Sequence, residues 1–122
     1  MALFPCDRHG TRYQGAQQTV YPAIVHGAET LRGKRRLCPG CFASVIDWCV
    51  RNLADAAVDD LPEDGCCLCS EDEPTHGIFV TLYANHNERQ DWYGRACEPC
   101  ALGPAAMALF GVQEPLTRLP VP

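Results

Sequence analysis

The sequence predicts an α+β fold made of two small modules, each running knuckle, β-hairpin, knuckle, helix. Three observations carry this expectation. Paired ligand-type residues recur at matched spacing in both halves of the chain. Between the pairs lie short runs rich in β-branched and aromatic residues, the composition of strands. Behind the second pair of the first half comes an apolar stripe at helical spacing.

The pairs set the chemistry. The first half reads Cys6-x2-His9, then 28 residues, then Cys38-x2-Cys41. The second half reads Cys66-x2-Cys69, then 27 residues, then Cys97-x2-Cys100. A shift of 60 positions carries the first pair onto Cys66 and Cys69, and a shift of 59 carries the second onto Cys97 and Cys100. Zinc takes four nitrogen or sulfur ligands in a tetrahedron, and a two-residue spacer lets neighbouring side chains grip one ion. Two grips joined by a hairpin close the site. Four protein ligands leave no place for water or substrate, so both sites are expected to be structural. The expected cofactors are therefore two zinc ions. A one-iron, rubredoxin-like centre is the lesser alternative at the all-cysteine site. His9 breaks the all-thiolate set in the first half and weighs against iron there.

Length and composition agree. The chain has 122 residues, enough for one domain or two very small ones. Hydrophobic residues make up 47%, which excludes a disordered polyelectrolyte. A module of about 50 residues is marginal on burial alone. Structural zinc supplies about 10–16 kcal/mol of apparent binding free energy, much of it folding free energy. No apolar run approaches the roughly 18 residues of a membrane span. The opening MALFPCDRHG has no basic stretch followed by an apolar one, so a reducing, cytoplasmic setting is expected. Cysteines there serve metal or catalysis rather than disulfides. Arg outnumbers Lys nine to one, the bias of a GC-rich genome.

The elements follow in order. Thr19 to Val25 is a strand, with Pro22 marking an edge or bulge. Leu31 to Leu37 returns toward Cys38. In the helix after Cys41, Phe42, Val45, Ile46, Cys49, Val50 and Leu53 form one apolar stripe. Residues 54–65 are acidic and end in Pro and Gly, which marks the helix end and an acidic linker over 58–65. Ile78 to Ala84 is a strand, Asn85 to Asn87 a turn, and Gln90 to Ala96 the return strand. Pro104 to Phe110 is a short helix with Pro in its first turn. The modules then span 1–57 and 66–110, and a proline-containing tail covers 111–122.

This order resembles the treble-clef class of zinc fingers, in which a knuckle and hairpin precede a helix whose first turn carries the last two ligands. The resemblance covers Cys6 to Ala57. It extends less fully over Cys66 to Phe110, because Gly103-Pro104 would interrupt a helix beginning near Cys100. A zinc-ribbon-like unit with a detached helix is the alternative there. Both classes serve nucleic-acid binders, protein adaptors and a few nucleases, so the resemblance implies a scaffold rather than an activity.

Charge divides the chain. Residues 1–54 carry seven basic and three acidic side chains, and residues 55–122 carry three basic and twelve acidic. The run Arg32, Lys34, Arg35 and Arg36 is the candidate phosphate contact. Its plainer role is to offset the negative charge of a metal–thiolate cluster. On the helical wheel Trp48 falls off the apolar stripe, near Arg51. Trp and Arg are enriched in binding hot spots, so these two are the candidate partner surface. Packing of Trp48 against the second module is the alternative.

Enzymatic readings find less support. His86-Asn87-Glu88 before Cys97-x2-Cys100 superficially matches the zinc-deaminase layout. Only eight residues separate Glu88 from Cys97, and Ala96 stands where that layout has proline. An HNH-type nuclease would draw on His76, Asn85, His86 and Asn87, which read more simply as surface turn residues. Cys49 lies on the apolar stripe as a small hydrophobe. Cys67 competes with Cys66 for the knuckle, and the two-residue spacer favours Cys66. The expectation is a non-enzymatic zinc-binding regulator or adaptor whose basic first module contacts nucleic acid and whose second module meets an unidentified protein. The alternative is a purely protein-binding component of a larger, phage-type assembly.

Overall fold

The computed structural model describes residues 3–7, 11–14, 18–56, 65–69, 73–84 and 88–117. Strands β1 (Leu3–Cys6) and β2 (Thr11–Gln14) pair as an antiparallel hairpin. Strand β3 (Gln18–His26) follows, then β4 (Glu29–Arg32), β5 (Arg35–Leu37) and helix α1 (Pro39–Asn52). Strands β6 (Ala54–Asp55), β7 (His76–Ala84) and β8 (Glu88–Ala96) complete the sheet. The chain ends in three abutting helical segments: α2 (Glu98–Cys100), a π-turn (Ala101–Ala105) and α3 (Ala106–Phe110). Among the described residues, no helix is long and apolar enough to cross a membrane.

The architecture is α+β. One antiparallel sheet runs β4-β3-β7-β8-β6, and β5 pairs β3 beyond the end of β4. Proline explains that last break. Arg32 lies opposite Ala23 and Arg35 opposite Val20, so Gly33 and Lys34 pass the stretch around Pro22. The Gly33 N–H donates to the Pro22 carbonyl at 3.0 Å, but Pro22 has no N–H to return. The ladder therefore restarts at β5.

The two cysteine-bearing halves meet in this sheet. β3 pairs with β7 from Thr19↔Tyr83 to Val25↔Gly77. Each hairpin alone would leave a long edge strand unpaired and a small face uncovered. Joined edge to edge, they bury one continuous inner face. Val20, Ile24, Ile78 and Val80 are at most 1% exposed and form a single core with Phe42, Val45, Cys49, Leu102 and Leu109.

Three local expectations are corrected. First, the buried side of α1 is Cys41, Phe42, Val45 and Cys49, while Val50 is 59% exposed. The helix is rotated toward Trp48 because α3 packs beside α1 on that flank. Second, the helix ends at Asn52, and Ala54–Asp55 is a strand opposite Tyr93 and Trp92 rather than helix end. Third, Pro104 does not interrupt the last helix. The Ala106 N–H reaches back to the Ala101 carbonyl, a five-residue step. This wider turn gives the proline ring room where an α-turn would set it against the carbonyl four residues earlier.

The last helix is closed by Gly111 and Arg35 together. Gly111 adopts a left-handed φ of 71°, and its N–H donates to the Met107 carbonyl. The Arg35 guanidinium donates to the carbonyls of Leu109 at 2.9 Å and Ala108 at 3.4 Å. A Cβ at Gly111 would stand 2.8 Å from Arg35 Nη2. Gly27 also has positive φ, but open space around it. Gly27→Ala is expected to cost only the left-handed penalty of about 1–2 kcal/mol. Gly111→Ala adds a displaced charged hydrogen bond of about 1.5–3 kcal/mol. Urea unfolding of the two variants checks the order; equal losses would show that Arg35 yields freely.

Candidate metal centres

Each ligand pair is positioned by the same local devices, used twice. Cys38 and Cys97 are helix N-caps with nearly identical extended backbones, φ −67°, ψ 162° and φ −68°, ψ 163°. A proline sits in the first turn after each, where its missing N–H costs nothing. Cys41 and Cys100 follow one turn later. The paired cysteines thus straddle a helix N-terminus, where the positive end of the peptide dipoles favours thiolate.

The first knuckle of each half is fastened in a parallel way. The Asp7 N–H donates to the Arg36 carbonyl at 2.7 Å, and the Cys67 N–H donates to the Arg95 carbonyl at 2.8 Å. Each bond runs from the residue after the first ligand to the residue two before the third. Asp7 adds a side-chain link, its Oδ2 accepting the Arg36 N–H at 2.8 Å. The returning strands β5 and β8 therefore deliver both pairs to one place.

The sulfurs converge accordingly. Cys66, Cys69, Cys97 and Cys100 hold their Sγ atoms within 4.8 Å of one another, and so do Cys6, Cys38 and Cys41. Cys69 and Cys97 stand 3.8 Å apart, as do Cys6 and Cys41. A tetrahedral ion with metal–sulfur bonds of about 2.3 Å requires sulfurs about 3.8 Å apart. Both groups fit a metal ion. His9, the expected fourth ligand of the first group, lies outside the described residues.

The thiols are not alike. Burial pushes the Cys66 thiol up, but backbone N–H groups of Cys69, Cys97 and Leu68 outweigh it and bring it down to about 6. The Leu68 N–H lies 3.4 Å from that sulfur. Burial, with Cys38 and Cys6 adjacent, raises Cys41 to about 11, and burial also raises Cys97 and Cys100. Burial thus favours the neutral thiols of Cys97 and Cys100, and a divalent ion would supply the charge that removes their protons.

The remaining cysteines stand apart. Cys67 occupies the place that Asp7 has in the first knuckle, and its sulfur packs toward Gly94 rather than into the cluster. Burial raises it to about 11. Cys49 is fully buried and raised to about 12 by desolvation.

The other singled-out residues are dispersed. Arg32, Lys34 and Arg36 are exposed, whereas Arg35 is 9% exposed and turned to the end of α3. Arg35 is thus a helix cap, because the carbonyls of Ala108 and Leu109 need its donors. Trp48 is half-buried and lines a groove of about 660 Å³ with Val45, Met107 and Phe110. Arg51 is exposed, pairs with Asp47 at 3.2 Å, and does not line that groove. His76, read as a turn residue, is a buried strand residue. Its ring stacks on His26 at 4.3 Å and its Nδ1 lies 2.8 Å from the Thr75 hydroxyl. Residues 85–87 lie outside the described residues.

Sequence reasoning named Arg32, Lys34 and Arg36 but missed the aromatic residues, and Arg89, that share the outer side of the sheet with them. Lys34 lies 5.9 Å from the Tyr21 ring centre, Tyr21 meets Tyr83 edge-to-face at 5.7 Å, and Arg89 lies 5.9 Å from the Tyr83 ring centre. The alternation Ile78, Phe79, Val80, Thr81, Leu82, Tyr83 held the signal for β7. Its neighbours on β3 and β8 become visible only with the register.

No protein-family model, curated protein or solved structure matches the chain.

Loss of a ligand is expected to separate from loss of a neighbouring thiol. Cys97→Ser should release one metal ion per chain and unfold at lower denaturant, while Cys67→Ser should keep the full metal content. Elemental analysis with parallel urea titrations checks both. Equal metal loss in the two variants would remove Cys66 from the ligand set.

Proposed function

We propose that the protein is a non-catalytic interaction protein, a small regulator or adaptor stapled by two structural zinc ions in treble-clef-like halves. The carrying observation is the convergence of four sulfurs at one site and three at the other, each behind a helix N-cap. Zinc suits these donors: thiolates with one histidine, His9, in the first set, and four thiolates in the second. With His9 as its fourth member the first set, like the second, offers four side-chain ligands, so the proposed ion serves folding.

The working surface then lies elsewhere, and the proposed ligand is nucleic acid. Arg32, Lys34 and Arg36 supply exposed cations along β4 and β5, beside the first knuckle. Arg36 pairs with Asp7 at 3.6 Å across a solvent-exposed gap. Such a pair contributes only about 0–1 kcal/mol and yields to a phosphate. The second reading is a purely protein-binding component of an assembly. The groove beside Trp48, Met107 and Phe110 favours it.

Salt dependence separates them. Binding of the zinc-loaded chain to a labelled oligonucleotide should weaken steeply with salt, by about 0.7–0.9 in log K per log salt for each phosphate contacted. Combining Arg32→Glu, Lys34→Glu and Arg36→Glu should abolish it without changing metal content. Absence of binding at low salt would leave the protein-binding reading.

A further inference from the structure

We infer that the outer face of the sheet is a platform for single-stranded nucleic acid, on which bases stack against Phe79 and Tyr21 while cations at its rims hold the backbone. This rests on the nucleic-acid reading above and gives it a surface and a class of strand.

The register builds the face. Directly paired residues on antiparallel strands point to the same side. Ala23 lies opposite Phe79, and Phe79 opposite Tyr93. Thr19 lies opposite Tyr83, and Tyr83 opposite Arg89. The intervening residues of β3 and β7 face the core shared with α1 and α3. Both helices therefore cover the inner side, and among the described residues no helix covers the outer one. Phe79 is 51% exposed and Tyr21 39%. Two large rings in solvent at the middle of a sheet are a cost that a ligand would offset.

The rings are set for stacking. Gly77 lies on the same face two residues from Phe79, and a Cβ there would stand 3.0 Å from the Phe79 ring. The glycine lets the ring lean onto the sheet and hold its position. Tyr21 is fixed by its edge-to-face contact with Tyr83, at an interplanar angle of 86°. Positions on this face are separated by the strand spacing of about 4.8 Å or the diagonal of about 7–8 Å.

Charge selects the ligand. Arg32 (opposite Ala23) and Arg36 (opposite Thr19) project from β4 and β5, and Arg89 and Arg95 project from β8. Lys34 sits above Tyr21. Among the described residues, Asp7 stands beside Arg36, Asp91 lies 3.2 Å from Arg89, and Asp55 and Glu88 line a groove with Arg89. Among the described residues, Arg32, Lys34 and Arg95 form no ion pair with a carboxylate, on a chain whose formal net charge is −5. An apolar protein partner has no use for cations on both rims. A duplex hides its base faces inside the stack and offers the central rings nothing. A single strand offers bases to the rings and phosphates to the rims.

The test is fluorescence anisotropy of the full zinc-loaded chain with a labelled oligothymidylate of about 20 nucleotides and a duplex of equal length. The single strand should bind at least about tenfold tighter than the duplex. Phe79→Ala and Tyr21→Ala should each weaken it by about five- to hundredfold, the range of one base–aromatic stack. Both positions are exposed, so circular dichroism and metal content should stay unchanged, and Phe79→Trp should restore binding. Arg95→Glu should lower the salt slope by about 0.7. Equal affinity for the duplex, or Phe79→Ala and Tyr21→Ala without effect, would overturn the platform even where Lys34→Glu and Arg36→Glu abolish binding. A dimer in sedimentation that Phe79→Ala dissociates would overturn it in favour of self-association. No binding of either probe at low salt would overturn this inference and the nucleic-acid reading together.

Discussion

Seven residues of β3 lie against seven of β7, and this pairing decides which side of each half is inside. A hairpin with one helix has a core too small to hold itself, and an unpaired strand edge invites association. Joining the two edges places Val20, Pro22 and Ile24 beside Val80 and Ile78 on one continuous apolar face. Both helices then pack on that face, because their own buried sides, Phe42 and Val45 in α1 and Leu109 in α3, have no other apolar surface of comparable extent. Among the described residues, the outer face is left without a helix as a direct consequence.

The sulfur clusters solve a different problem, the delivery of chain ends. Loop closure between a first knuckle and a second grip nearly 30 residues on is entropically unfavourable, and a metal ion held by the sulfurs would return that free energy on folding. The paired backbone bonds from Asp7 to Arg36 and from Cys67 to Arg95 bring the knuckles to the strand ends first. The N-capping cysteines then present two sulfurs at the positive end of a helix. Because the same residue offsets recur in both halves, Cys67 is excluded from the cluster by position. It stands where Asp7 stands, and its sulfur is directed toward Gly94.

Much of this was legible in the residues. Spacing picked out the seven cysteines that converge in two groups able to hold a metal ion, because tetrahedral geometry allows few sequence offsets. Alternation located β3, β7 and β8 to within a residue or two at most ends, because half-buried strands need it. What was not legible depends on contacts between distant segments. On a lone helix Val50 belongs to the apolar stripe and Trp48 does not, and only the arrival of α3 turns Val50 outward and half-buries Trp48. Pro104 reads as a helix breaker unless the turn can widen. Arg35 reads as one cation among four until the carbonyls of Ala108 and Leu109 are placed beside it. The basic and aromatic outer face was split among β3, β5, β7 and β8, and no single stretch of sequence displays it.

Charge and layering finally reinforce one another. Metal–thiolate clusters carry negative charge, −2 for four thiolates on a divalent ion, and they sit where the helices begin. The cations Arg32, Arg36, Arg89 and Arg95 occupy the opposite face of the same sheet. A chain of net negative charge that gathers cations on one face attracts a polyanion there more than elsewhere. An overall negative charge is therefore no argument against a nucleic-acid ligand here. On the proposed reading it would direct an anionic strand to the face where the aromatic rings lie, and so turn a weak general attraction into an oriented one.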